Sequence, residues 1–120
     1  MNTKSIVIGN RKVIEIISDE VIIKNTQDAL DLMANTSSDH IILHEYNFEK
    51  DFFDLSTQIA GEILQKFTNY YVRLAIIGDF DRYKSKALKD FIFESNKNRD
   101  YLFVQSMDEV VRLWQGIIEI

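Results

Sequence analysis

At 120 residues the chain is one domain's worth, and 46% hydrophobic with 28% charged residues is the balance of a globular protein, not a disordered or low-complexity one. A formal net charge of −5 argues against non-specific nucleic-acid binding, which needs a basic face. The absence of cysteine removes disulfides, thiolate metal sites and thiol nucleophiles.

Lys4 to Ile8 and Lys12 to Ile17 are β-branched runs separated by the turn dipeptide Gly9-Asn10, which predicts a hairpin. Ser18-Asp19-Glu20 breaks the second run, and Val21-Ile22-Ile23 extends it briefly. Asn25 or Thr26 then caps a helix to about Ala34, with Asp28 complementing its positive end and Ala29, Leu30 and Met33 on one face. His40 to His44 is a short apolar strand. A polar and aromatic stretch leads into a long helix ending near Tyr70. There Leu55, Ile59, Ile63 and Phe67 recur every fourth residue, and Ala60 and Leu64 widen the stripe. Tyr71 to Ile77 is a nearly continuous apolar strand, as expected where both faces are covered, and Gly78-Asp79 ends it. Lys84 to Asn96 predicts a helix with Ala87, Leu88, Phe91 and Ile92 inward, followed by a last core strand, Tyr101 to Val104. Ser106-Met107-Asp108-Glu109 is a capping box that opens a helix to Gln115, stopped by Gly116. The fold class is therefore α/β: an N-terminal antiparallel hairpin, then alternating strands and helices in a mainly parallel mixed sheet. With no proline and four glycines there is no linker composition, so residues 1–120 read as a single domain.

The runs Phe52-Phe53-Asp54-Leu55-Ser56-Thr57 … Ala60-Gly61-Glu62-Ile63-Leu64-Gln65-Lys66-Phe67 and Ile77-Gly78-Asp79-Phe80 … Ser85-Lys86-Ala87-Leu88 … Glu94-Ser95-Asn96 closely resemble a bacterial family known only as domain of unknown function 4180. That resemblance implies kinship and no activity. The element order also resembles a STAS domain, the fold of anti-sigma factor antagonists. Ser18-Asp19-Glu20-Val21 stands where those domains have Ser-Gly-Glu-Leu, and Ile41-Ile42-Leu43 where they have the central strand. Ser106 to Leu113 is similar to their final segment. Asp54-Leu55-Ser56-Thr57 falls near their Asp-Ser-Ser-Gly turn, whose serine a partner kinase phosphorylates. The resemblance thus makes Ser56 and Thr57 candidate phosphorylation sites, although the loop before Asp54 is about one residue longer and Gln58 replaces the glycine.

A hydroxyl at a helix opening faces backbone N–H groups and a positive dipole end, which stabilise a phosphate there. The simpler reading makes Asp54 or Ser56 the N-cap and Thr57 a first-turn residue. His40 and His44, the only histidines, would stand about 13 Å apart along a strand, too far to share a metal, so no metal or other cofactor is expected. His40 is expected to open its strand in solvent and His44 to lie at the carboxyl end, where open α/β sheets form clefts. Asp79 and Asp81 bracket Phe80 after a strand; the expectation is a turn residue at Asp79 and a cap for the Lys84 helix at Asp81. No Gly-x-Ser-x-Gly elbow and no glycine-rich phosphate loop is present.

These residues point to a non-enzymatic, STAS-like regulatory module that binds an unidentified protein partner. Its binding surface would comprise Glu45, Phe53, Asp54, Ser56, Thr57, Asp79, Phe80 and Asp81, with Phe53 outward. The alternative is a small-molecule-binding or hydrolytic enzyme using His44, Glu45, Asp54 and Asp79 around a cleft at the same end. No signal peptide opens the chain and no apolar run approaches a membrane span, so the expected setting is cytoplasmic, without membrane or nucleic-acid contact. The apolar tail Ile117-Ile118-Ile120 is expected either to fold back on the sheet edge or to pair with a second subunit as a homodimer.

Overall fold

A computed structural model describes residues 2–99 and 101–118, with side chains as far as residue 115 at the carboxyl end. Strands β1 (Asn2–Ile8) and β2 (Arg11–Ile17) form the expected antiparallel hairpin. Gly9 takes φ 62°, as the first position of a II′ turn demands of a residue without a β-carbon. Helix α1 (Thr26–Thr36), strand β3 (His40–His44), helix α2 (Ile59–Asn69), strand β4 (Arg73–Ile77), helix α3 (Lys86–Asn98), strand β5 (Tyr101–Val104) and helix α4 (Met107–Ile118) follow.

The five strands lie in the order β1-β2-β3-β4-β5, and all pairs after the hairpin are parallel. Each parallel crossover steps to the next strand in the same direction, so right-handed connections deliver α1, α2 and α3 to one face. That face holds the larger core, where Leu32, Ile63, Phe67 and Leu88 meet Ile16, Ile41, Leu43, Leu74 and Ile76. On the opposite face α4 alone covers Val13, Ile42, Ala75 and Leu102 with Val110 and Trp114. Burying strands on both sides explains why β3 and β4 read as unbroken apolar runs.

Several boundaries differ from the sequence expectation. Val21 to Ile23 does not prolong β2; only Ile23 makes an isolated bridge, to Phe48. The long helix begins at Ile59, and Leu55 sits in a separate 3-10 turn, Leu55–Thr57, because Gln58 takes the left-handed region at φ 66° and breaks the helical run. Helix α3 is capped by Ser85, whose hydroxyl accepts from Leu88 N–H at 3.2 Å; Asp81 lies ahead of it and accepts instead from the Gln105 amide. Ala87 falls on the exposed arc of that helix. His40 is buried on the α4 face, its ring edge-on to Trp114 at 5.0 Å and its Nδ1 2.8 Å from the Asp39 carboxylate. Ser106 does cap α4, but Gly116 lies inside that helix and does not stop it. The packing of the tail at residues 117–120 lies outside the described side chains.

Candidate functional site

The carboxyl ends of β3 and β4 carry a connected polar network. Glu45, the first residue after β3, is held in the fold with its carboxylate mostly covered. One of its oxygens accepts from the Asp79 N–H at 3.1 Å, and the other accepts from the Arg82 guanidinium and the Tyr83 hydroxyl. A single carboxylate thereby pins the whole 79–83 loop across the neighbouring strand. Gly78 makes the approach possible: a β-carbon there would lie 2.5 Å from the Glu45 Cβ. Arg82 also lies over the Tyr83 ring, 4.6 Å from its centroid. Burial, and secondarily the bond to Glu45, pushes the Tyr83 phenol well above its ordinary pKa, so it stays a donor.

Asn47 organises the other wall. It is fully buried; its amide nitrogen donates to the carbonyls of Ser18 and Glu20 at 3.0 and 2.8 Å, and its side-chain oxygen accepts from His44 N–H at 2.9 Å. Its own carbonyl accepts from Ile22 and Ile23 N–H. The Ser18–Ile23 segment is therefore sewn to the end of β3. Between these walls lies a cleft of about 730 Å³, floored by Phe48, Phe53 and Tyr83 and rimmed by Val21, Tyr46, Lys50 and Arg82.

The expected surface residues are distributed unevenly. Glu45 lines the cleft. Phe53 is only 6% exposed: the 3-10 turn Lys50–Phe53 rotates Phe52 and Phe53 inward together, onto Phe48, Phe80 and Tyr83. Phe80 is likewise buried, edge-on to Phe103, so neither ring presents an outward face. Asp79 and Asp81 are exposed. Asp54 accepts from both the hydroxyl and the N–H of Ser56, at 2.6 and 3.1 Å, and these bonds hold its carboxyl below the usual range. Ser56 is exposed, whereas the half-buried Thr57 donates to the carbonyls of Asp51 and Asp54 and accepts from Ile59 N–H.

The groups of the enzymatic alternative do not converge. His44 points to the α4 face, where its Nε2 lies 3.0 Å from Glu15 and its ring stacks on Tyr46. Glu45 is committed to its loop and Asp54 to its turn. No group of three His, Asp or Glu side chains suited to a metal occurs among the described residues. Arg82, Tyr83, Val21 and the organising Asn47 were not singled out by sequence reasoning. Arg82 and Tyr83 directly follow the Asp79-Phe80-Asp81 loop, and a cation beside an aromatic there was the available signal.

No helix among the described residues is long and apolar enough to cross a membrane. No curated protein and no solved structure matches the chain. The family model described as "Domain of unknown function (DUF4180)" matches residues 8–113, nearly the full length, and the chain belongs to that family.

Proposed function

We propose that this domain is a non-enzymatic, cytoplasmic regulatory module that binds a protein partner over the cleft at the carboxyl ends of β3 and β4. The observation that carries this reading is the division of labour at that end. The carboxylates that chemistry would need, Glu45 and Asp54, are spent on holding loops, while Val21, Tyr46 and Lys50 are exposed on the rim and Arg82, although bonded to Glu45, keeps most of its side chain exposed. An exposed tyrosine and arginine around an apolar floor are the side chains that dominate protein interfaces.

Ser56 is the control point in this reading, in keeping with the STAS resemblance. Its hydroxyl is exposed and donates to Asp54. A phosphate there replaces that donor with a dianion beside a carboxylate, and the repulsion opens the Leu55–Thr57 turn next to the cleft. Thr57, tied into the turn by three contacts of its own, is the structural member of the pair.

The test is recovery of bound protein from the native cytoplasm with the full chain and its variants. Tyr46→Ala and Lys50→Glu should lose the captured protein while keeping the melting temperature. Ser56→Asp should weaken capture and Ser56→Ala should not. Capture that survives the two rim substitutions, or losses that only follow falling stability, would overturn the reading.

A further inference from the structure

We propose that a pocket at the amino ends of β3 and β4 binds a hydrophobic ammonium ion, a free alkyl- or arylalkylamine, with its charge beside Asp39. Asp39 directly precedes β3 and Val72 directly precedes β4, so this pocket lies at the end of the sheet opposite the cleft and is independent of it. Its volume is about 490 Å³, within the range of small-molecule sites. Leu30, Met33, Val72 and Tyr70 make the wall mainly apolar. Among the described residues, Asp39 is the one charged side chain that lines it.

The helix ends around the pocket have the same sign. Helix α1 stops at Ser37, whose backbone takes the left-handed region at φ 51°. Helix α2 ends at its cap, Tyr70, and Tyr71 then turns left-handed at φ 58°. Ser37 and Tyr70 both line the pocket, so two helices bring their carboxyl ends to it. Each such end carries roughly half an elementary negative charge on its outward carbonyls. A basic residue in the last turn is the usual complement. Helix α1 has none there, and Lys66 in the last turn of α2 does not line the pocket.

Asp39 has an oxygen to offer. One of its oxygens meets His40 Nδ1 at 2.8 Å; the other faces the Arg11 guanidinium at 3.3 Å, with both side chains more than half exposed. An exposed pair of that kind is weak and exchangeable. An ammonium entering from the pocket takes the place of Arg11 on that oxygen, while its hydrocarbon displaces water from Leu30, Met33 and Val72. Tyr70 offers an aromatic ring to the same charge. An anion would instead meet a carboxylate and two negative helix ends, and an uncharged chain would gain the apolar contact alone.

The probes are octylammonium, octanoate and octanol, titrated into the full chain and followed by calorimetry and by the methyl resonances of Leu30, Met33 and Val72. Octylammonium should bind at least about tenfold more tightly than either of the others, the worth of one charge-assisted contact. Asp39→Asn, which keeps an acceptor for His40, should lose about that advantage. Arg11→Ala should tighten octylammonium binding about threefold, because it frees the carboxylate from a weak surface partner. Ala34→Trp puts a ring into the pocket from an exposed helical position and should abolish binding with the melting temperature unchanged. No saturable binding, equal affinity for octanoate or octanol, Asp39→Asn with the affinity of the parent chain, or weaker binding by Arg11→Ala would overturn the proposal.

Discussion

Asn47 shows how one side chain substitutes for an element the backbone does not supply. The Ser18–Ile23 segment is neither strand nor helix, yet its Ser18 and Glu20 carbonyls accept from the Asn47 side-chain amide. Its Ile22 and Ile23 N–H groups donate to the Asn47 backbone carbonyl, and its Ile23 carbonyl accepts from Glu49 N–H. Asn47→Ala leaves buried donors and acceptors without partners and should cost about 3 kcal/mol in urea denaturation. Gln58 presents the opposite case. It holds a left-handed backbone at φ 66° with a β-carbon, exposed and without a side-chain capping bond. Relief of that strain exceeds the entropy lost by glycine, so Gln58→Gly should stabilise the protein by about 0.5 kcal/mol, read as a raised melting temperature. Asp39 supplies a pH dependence. Its carboxyl is held below the usual value of 3.8, first by the hydrogen bond from His40. A depressed carboxylate contributes stability that is complete above the unfolded pKa and lost as pH falls through the folded one. Acid titration of Asp39→Asn should therefore show a shallower fall below about pH 4 than the parent protein.

At the scale of elements, helix α2 is where periodicity spoke most plainly. Ile63 is buried against the sheet and Gln65 faces solvent, bonded to Asn69. Ile63→Ala should cost about 2–5 kcal/mol and Gln65→Ala about 0.5 kcal/mol or less by thermal unfolding. Equal losses would mean a rotated helix. The hairpin, the five-strand alternation and four helices were legible because each rests on local signals: a Gly-Asn turn, apolar spacing, and Ser or Asn caps. The start of α2 was not, since the apolar stripe runs back through Leu55 and only the backbone at Gln58 interrupts it. The aromatic loop misled for a related reason. A 3-10 turn carries Phe52 and Phe53 inward together, and neither helical nor strand periodicity predicts that. Between elements, Gly78→Ala should cost about 2 kcal/mol, because its new carbon collides with Glu45 and loosens the 79–83 loop. Retained stability with Tyr83 still engaged would show that Glu45 can yield.

For the whole molecule, placement at the carboxyl end of the sheet was the legible part of the candidate site; its composition was not. Chain order alone brings the segments after β3 and β4 side by side once the strands are parallel. Which side chains then face outward depends on contacts far apart in sequence, such as Arg82 and Tyr83 with Glu45, and no spacing rule encodes those. Asn96 carries a further consequence. Its side chain takes both outward backbone groups of Phe103, so at that residue the β5 rim offers a further strand nothing to pair with. Asn96→Ala would free that N–H and C=O and turn a closed rim into one that can recruit strands. Elongated aggregates should then appear on prolonged incubation of that variant, by light scattering and thioflavin fluorescence, and not for the parent chain.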